Sequence, residues 1–331
     1  MDRRSAVGIG LVLISAAGYG SGSILAAPIY ATGVDWLTLV SWRFLIGAIL
    51  GWLWVLAAPG RRAALQAMTR RQLAVALGLG ALFVGNAGTY YASLETVPAA
   101  LAGVVVYTYP VMVAVLSLRF ATRLPGPRPW IAAALAIAGS ALALGGIDVT
   151  DAPPVSGLIL VFASAVIYSI WIILSARLSG ERRDRLASES SADGSPAGDA
   201  AVTTTVMMTA TAAVYAVAGF VTGRPLDPAT VPSAAWPGIL AVAFVASFLA
   251  IQTFYAGARR IGAARAALTA TVEPLIIVLL AWIFLHQVLA PIQLLGAGLI
   301  LIAVVVAQTA PRPRGAPEPA TPLEAEVGGS G

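Results

Sequence analysis

Ten long apolar segments run through the sequence, and they constrain the fold more than any other feature. A helix needs about 20 apolar residues to cross a bilayer core of about 30 Å. The segments that reach this length are 7–27, 36–57, 73–93, 98–119, 129–147, 156–178, 201–221, 235–256, 263–285 and 290–309. The pattern therefore predicts an all-α membrane protein with ten transmembrane helices, which we number spans 1 to 10.

The composition excludes several functional classes. Only 11% of the residues are charged, whereas a soluble domain carries about a quarter, so lipid must cover much of the surface. The chain has no cysteine and one histidine, His286, and we therefore predict no metal, no cofactor and no catalytic residues. The net charge of +5 is spread between the apolar segments, which argues against a nucleic-acid partner, because such partners need a clustered basic face.

The arginines are distributed asymmetrically between the two sides of the predicted membrane. Of the 20 arginines, 18 fall in the termini or in connections on the same side as the termini, while Arg224 is on the other side and Arg43 is inside span 2. By the positive-inside rule, both termini are predicted to be cytoplasmic in a multi-pass plasma-membrane protein. The polar segment 179–200 is predicted to be a flexible cytoplasmic loop, and 310–331 a disordered cytoplasmic tail. The absence of lysine, together with abundant alanine and glycine, indicates a bacterial source.

An internal repeat relates the two halves of the chain. Residues 91–110 align without a gap on residues 255–274, with matching tyrosines at the start and prolines at the end. The repeats are predicted to extend over 7–147 and 156–309, with five spans each. Because five is odd, the second repeat must lie upside down relative to the first, an arrangement typical of secondary transporters.

The order of the sequence motifs resembles the drug/metabolite transporter superfamily, specifically its ten-helix EamA-type transporters. The motifs are "SWRFLIGA" around Arg43, "YYASL", "FYAGARRIGAARAAL", "YPV", "EPL" and, in the last span, "QLLGAGLILIAVVV". The resemblance implies two inverted EamA repeats and the export of small molecules. One departure concerns the glutamate that the family carries at the ends of spans 4 and 9, since the matching positions here hold Arg123 and Gln287.

Two charged residues lie far from the ends of the predicted spans, namely Arg43 in span 2 and Glu273 in span 9. An ionised side chain is costly in a bilayer, and such residues face a cavity or a partner. For Glu273 two hypotheses stay open. The carboxyl group either faces a central cavity and carries a proton, because desolvation disfavours a charged carboxyl group in general, or it forms a structural ion pair with Arg43.

Two prolines, Pro110 and Pro274, occupy matching positions in spans 4 and 9. Proline lacks an N–H group and breaks the helical hydrogen bond to the carbonyl four residues earlier. We predict a helix break at both positions, with either a substrate-contacting role or a role in packing alone.

A set of polar and aromatic residues is predicted near the middle of several spans. They either line a substrate cavity or hold helices together by hydrogen bonds. The set consists of Tyr19, Asn86, Tyr107, Tyr109, Tyr168, Trp171 and Gln252. The small-residue pair Gly47 and Gly51 is predicted to serve packing within the chain or in a homodimer.

These features predict a secondary transporter that exports a small amino-acid-like or amphiphilic metabolite by alternating access. Its predicted partners are this solute, membrane lipid and a coupling proton, in a monomer or a homodimer. The alternatives are a membrane enzyme acting on lipid, which needs clustered catalytic side chains, and a channel, which needs rings of charge or a filter. The sequence contains no phosphate-binding loop of the GxxxxGK[ST] type, so the energy must come from a gradient.

Overall fold

The fold was analysed in a computed structural model. It describes residues 3–109, 111–113, 116, 127–145, 152–178, 199–224, 226–261, 269–270 and 272–308. Pro110, Arg123, the tail 310–331 and nearly all of the predicted loop 179–200 lie outside the described residues.

Each of the ten predicted spans contains a helix, and no strand occurs in the described residues. In the first half the helices are Arg3–Tyr30, Trp36–Ala57, Arg70–Ser93, Ala99–Val106 and Arg128–Gly145. In the second half they are Val155–Leu178, Ala200–Val221, Trp236–Ala241 with Ala250–Ile261, Glu273–Leu285 and Pro291–Gln308. Six helices of the described part are long and apolar enough to cross a membrane, and the apolar helices of spans 4, 5, 9 and 10 are shorter. The all-α prediction is confirmed.

Two local features were not predicted from the sequence. A π-helical stretch, Val242–Leu249, lies within span 8. A short helix, Pro59–Gln66, follows span 2. It begins at a proline, which suits the first turn of a helix because the missing N–H group has no intrahelical partner there. Its Arg61 lies over the ring of Trp54 at 4.1 Å.

Side chains at the helix starts explain where several spans begin. Asp35 accepts hydrogen bonds from the N–H groups of Leu37 and Thr38 at the start of span 2. Thr69 and Gln72 form a capping box at the start of span 3. Such caps satisfy N–H groups that have no partner within the helix.

In the described residues, three pairs of corresponding spans pack directly against each other, namely spans 2 and 7, spans 4 and 9, and spans 5 and 10. In the pair of spans 2 and 7, Phe44 stacks on Tyr215 and Trp52 donates a hydrogen bond to Thr209. The residue numbers rise along span 2 while they fall along span 7, so the two helices are antiparallel. An added Cβ on Gly51 would lie 2.7 Å from Thr205 of span 7, and one on Gly47 would lie 3.1 Å from Ser247 of span 8 and 3.4 Å from Met208 of span 7. This small-residue pair therefore serves packing within the chain.

Two further corresponding pairs have the same antiparallel arrangement. In spans 4 and 9, Ala100 contacts Gln287 and Tyr107 contacts Glu273. In spans 5 and 10, Gly139 lies against Ile300, and Ala143 against Gly296. A two-fold axis along the membrane normal would make corresponding helices parallel, whereas an axis in the membrane plane makes them antiparallel. The prediction of two inverted five-helix repeats is confirmed.

Candidate functional site

Glu273 lies at a break in span 9, where a new helix begins at Glu273 with Pro274 in its first turn. Because proline has no N–H group, the carbonyl of Ala270 loses its helical donor. The hydroxyl of Tyr107, from span 4, takes the place of that donor. It lies 3.1 Å from the Ala270 carbonyl oxygen and 3.0 Å from Glu273 Oε2. The break in span 9 is therefore joined to span 4 through one tyrosine hydroxyl.

Span 4 also changes its backbone geometry at this level. The helix Ala99–Val106 ends one residue before Tyr107, and Tyr107 and Thr108 form a turn. Corresponding segments of the two repeats thus meet at Tyr107 and Glu273, while the matching Pro110 lies outside the described residues.

A row of aromatic rings leads away from Tyr107, and each ring contacts the next. Neighbouring ring centroids are 5.5 Å apart for Tyr107 and Tyr109, 4.6 Å for Tyr109 and Tyr168, and 5.8 Å for Tyr168 and Trp171. Phe83 lies 5.4 Å from Trp171 and 6.1 Å from Phe44. We call these six residues the aromatic belt: Tyr107, Tyr109, Tyr168, Trp171, Phe83 and Phe44.

Arg43 lies at the far end of the aromatic belt. Its guanidinium carbon is 5.1 Å from the ring centre of Phe44 and 4.6 Å from that of Tyr91. Its Nε donates a hydrogen bond of 2.6 Å to Ser247, and its Nη2 donates one of 3.4 Å to the carbonyl of Ala246. Both acceptors belong to the π-helical stretch of span 8.

Arg43 and Glu273 do not form the ion pair that the sequence left open. Within the described residues, the salt bridge present is Arg224 with Asp35, at 3.1 Å on the surface. Glu273 instead contacts Tyr107, and Arg43 contacts Ser247 and Ala246. The hypothesis of a permanent Arg43–Glu273 pair is therefore wrong.

The other candidate residues take different places. Asn86 donates hydrogen bonds to the hydroxyl and the carbonyl of Ser164, which joins span 3 to span 6. Tyr19 lies within electrostatic range of Tyr109 and thus near the aromatic belt. Gln252 is half-buried on span 8 and is not part of the belt.

Three residues near the site were not among the sequence candidates, namely Phe83, Tyr91 and Ser247. The ring of Tyr91 lies against Arg43, with the guanidinium carbon 4.6 Å from its centre. The sequence did mark Tyr91 in one way, because the repeat alignment matches it to Tyr255. Phe83 and Ser247 carried no such signal, because one phenylalanine or serine within an apolar span is unremarkable.

Gln287 has a structural role at the position where the family carries glutamate. Its Oε1 atom accepts a hydrogen bond of 3.2 Å from the backbone N–H of Ala100, near the start of the span 4 helix. This N–H group has no partner within the helix. A neutral amide oxygen can satisfy it, so this contact does not need the glutamate's charge.

Two cavities lie next to these residues. A groove of about 420 Å³ runs between spans 4, 9 and 10, and its wall includes Tyr107 and Pro274. A smaller pocket of about 220 Å³ is lined by residues that include Ser23, Glu95 and Gln287. Within the described residues no group of three histidine, cysteine or acidic side chains is placed to hold a metal ion.

Comparison with known proteins identifies the family. The profile of the EamA-like transporter family matches the chain twice, at residues 6–145 and at residues 155–309. The chain belongs to the EamA-like transporter family. It is accordingly a multi-pass membrane protein and a transporter of the drug/metabolite type, as the sequence motifs implied. The two matches have nearly the same bounds as the predicted repeats at 7–147 and 156–309.

A solved structure supports the fold of this EamA family member. A protein of known crystal structure, 21% identical in sequence, superposes with a TM-score of 0.57 over 92% of this chain and 96% of that chain. At this level of identity the likeness shows the fold alone. No curated protein matches the sequence.

Proposed function

We propose that this EamA-family protein is a proton-coupled secondary carrier, rather than an enzyme or a channel. It exports a small amino-acid-like or amphiphilic metabolite from a bacterial cell by alternating access. Both termini lie in the cytoplasm, and the carrier resides in the plasma membrane. Glu273 is the residue that takes up and releases the coupling proton.

The observation that carries this proposal is the surroundings of Glu273. Its carboxyl group lies within an apolar span, at a helix break, and among the described residues it contacts the neutral hydroxyl of Tyr107 and forms no salt bridge. A permanent cationic partner would hold the carboxyl group in its charged form. With a neutral partner, the group can change its protonation state as the site opens to one side of the membrane and then to the other.

The exchange can be written as a balanced cycle. When the site faces outward, Glu273 binds one proton and the metabolite leaves. When the site faces the cytoplasm, the proton leaves and the next metabolite binds. One proton therefore moves inward for each metabolite exported, and the inward proton gradient drives export. In each step the carboxyl group changes charge only while water reaches it. During the metabolite-loaded step Glu273 is a carboxylate, and it accepts the hydrogen bond of the Tyr107 hydroxyl.

The first experiment identifies the solute and tests the coupling. Mass spectrometry of culture medium compares cells that express the wild type, Glu273→Gln or Glu95→Gln with cells that carry an empty vector. Glu95→Gln is the matched control, because Glu95 lies exposed on the outer turn and its acceptor oxygen for the Trp36 N–H survives the change. We expect the wild type and the control to export the same solute, and Glu273→Gln to fail.

The solute found in this way is then tested in proteoliposomes with an imposed pH gradient. Glu273→Gln should abolish pH-driven transport while its thermal stability stays near that of the wild type, since glutamine keeps an acceptor for Tyr107. Unchanged transport by a folded Glu273→Gln protein at every pH would eliminate the coupling role. If expression of the wild type alters no solute in the medium, the export proposal fails.

A further inference from the structure

The guanidinium of Arg43 is a buried cation that has no acidic partner among the described residues. The residue is 8% exposed and lies inside span 2. No carboxylate of the described residues forms a salt bridge with it, since the salt bridge found there joins Arg224 to Asp35. A buried charge without a counter-ion is strongly unfavourable, and within a membrane such residues mark functional sites.

The protein contacts of Arg43 satisfy only part of its hydrogen-bonding capacity. A guanidinium has five N–H donors. One is used by Ser247 and one by the Ala246 carbonyl, and the hydroxyl of Tyr91 is also within hydrogen-bonding reach. These contacts leave further N–H groups without an acceptor among the described residues. All the described acceptors are neutral, so the positive charge is not balanced.

Aromatic side chains next to Arg43 offer contacts to a molecule with an apolar body. Phe44 and Tyr91 place aromatic rings against the guanidinium, and the aromatic belt continues from Phe44. Gly22 of span 1 allows this helix to approach Tyr91 and Ala246 closely, because an added Cβ there would lie 2.7 Å from the Tyr91 hydroxyl and 2.9 Å from the Ala246 Cβ atom. The acceptors on span 8 lie in a π-helical stretch, a feature that is frequent at functional sites.

From these observations we infer that Arg43 binds a carboxylate of the transported solute, which is therefore an organic monocarboxylate or a zwitterion with an apolar or aromatic body. A guanidinium pairs well with carboxylates, through two parallel hydrogen bonds. A phosphate carries more negative charge than this one arginine balances. The apolar body of the solute lies along the aromatic belt, toward Tyr168 and Trp171. This inference rests on the proposed transport function, because it assigns the substrate class of the same site.

The test is equilibrium binding to the purified full-length protein, which needs neither transport nor a gradient. The probes are 3-phenylpropionate, indole-3-propionate, octanoate and phenylalanine, each compared with its primary amide. Binding is followed by tryptophan fluorescence and by the shift of the unfolding midpoint. We expect at least one acid to bind the wild type about tenfold more tightly than its amide, the factor that corresponds to 1.4 kcal/mol.

Variants of Arg43 test whether the preference for an acid over its amide depends on this residue. Arg43→Gln should bind each acid and its amide equally, while Arg43→Lys should keep part of the preference because it keeps the charge. Arg224→Gln is the matched control, because its arginine lies on the surface in an exposed salt bridge, and it should bind as the wild type does. If Arg43→Gln does not fold, Arg43→Lys and the acid-against-amide comparison in the wild type decide the question.

Two results would overturn the inference, namely equal binding of every acid and its amide by the wild type, or an undiminished preference in a folded Arg43→Gln protein.

This binding test can succeed or fail independently of the proton-coupling proposal. Glu273→Gln should keep the preference for acids even where it abolishes pH-driven transport. An Arg43-dependent preference together with transport that ignores pH would support the substrate class and refute the coupling.

Discussion

At the scale of single residues, the hydroxyl of Tyr107 has two acceptors and one proton. When Glu273 is a carboxylate, this hydroxyl can donate to it. When Glu273 is protonated, the carboxyl group can donate to the Tyr107 oxygen, and Tyr107 can donate to the Ala270 carbonyl instead. Both acceptors lie within 3.1 Å of the hydroxyl. One tyrosine therefore satisfies both groups when Glu273 is protonated, whereas with a charged Glu273 the hydroxyl donates to the carboxylate and the Ala270 carbonyl loses this donor.

The substitution Tyr107→Phe tests this role. It leaves the Ala270 carbonyl and Glu273 without their described donor, and a buried polar group left unsatisfied costs about 1–3 kcal/mol. We expect a loss of stability of this size together with a loss of pH-driven transport, measured by thermal unfolding and in proteoliposomes. Tyr215→Phe is the control, because it also removes a buried hydroxyl that donates to a backbone carbonyl, that of Val84. The control should lose stability but keep transport, and equal loss of transport in both variants would contradict this role.

At the scale of helices, the contact between spans 4 and 9 depends on a glycine one turn before Tyr107. An added Cβ on Gly103 would lie 2.6 Å from the Cγ2 atom of Ile277, which is too close. Ile277 in turn lies one turn after Glu273. The close approach of these two helices therefore holds the Tyr107 hydroxyl within reach of the break in span 9.

The change Gly103→Ala is expected to push spans 4 and 9 apart. Overpacking of this kind costs about 1–3 kcal/mol, so the unfolding midpoint should fall and pH-driven transport should weaken. Gly298→Ala in span 10 is the matched control, since an added Cβ there meets no atom within 4 Å, and it should be neutral or slightly stabilising. A Gly103→Ala protein as stable as the control would show that the two helices do not need this close contact.

The helices were predictable from the sequence because the length of an apolar segment and the position of a proline act on the local backbone. The inverted pairing was predictable because an odd number of spans per repeat dictates it. The partner of Glu273 was not predictable, since the sequence offered Arg43 as a partner and gave Tyr107 only as one of a set of mid-span polar and aromatic residues. Which of them it meets depends on how spans 2, 4 and 9 rotate and tilt against each other. The π-helical stretch Val242–Leu249 was missed because a shifted backbone hydrogen-bond register leaves no clear pattern in an apolar segment.

At the scale of the whole molecule, the scaffold is symmetric but its chemistry is not. The repeat alignment places Met207 opposite Arg43 and Tyr109 opposite Glu273. Arg43 and Glu273 thus have no charged counterpart in the other repeat, although the helices that carry them do have counterparts there. In an inverted repeat, exchanging the conformations of the two halves opens the site to the other side of the membrane. The symmetric helices can then supply the motion, while the asymmetric residues supply the binding of solute and proton.

This mechanism requires the orientation that the arginines predict, and the absence of cysteine makes that orientation directly testable. Single cysteines are introduced at Ser190 and Ser330, which we expect in the cytoplasm, and at Ala229, which we expect outside. A membrane-impermeant maleimide should label only Ala229→Cys in intact cells, and all three variants after permeabilisation. The natural chain contains no cysteine, so each signal belongs to one position. Labelling of Ser190→Cys or Ser330→Cys in intact cells would reverse the topology and, with it, the side from which Glu273 takes up its proton.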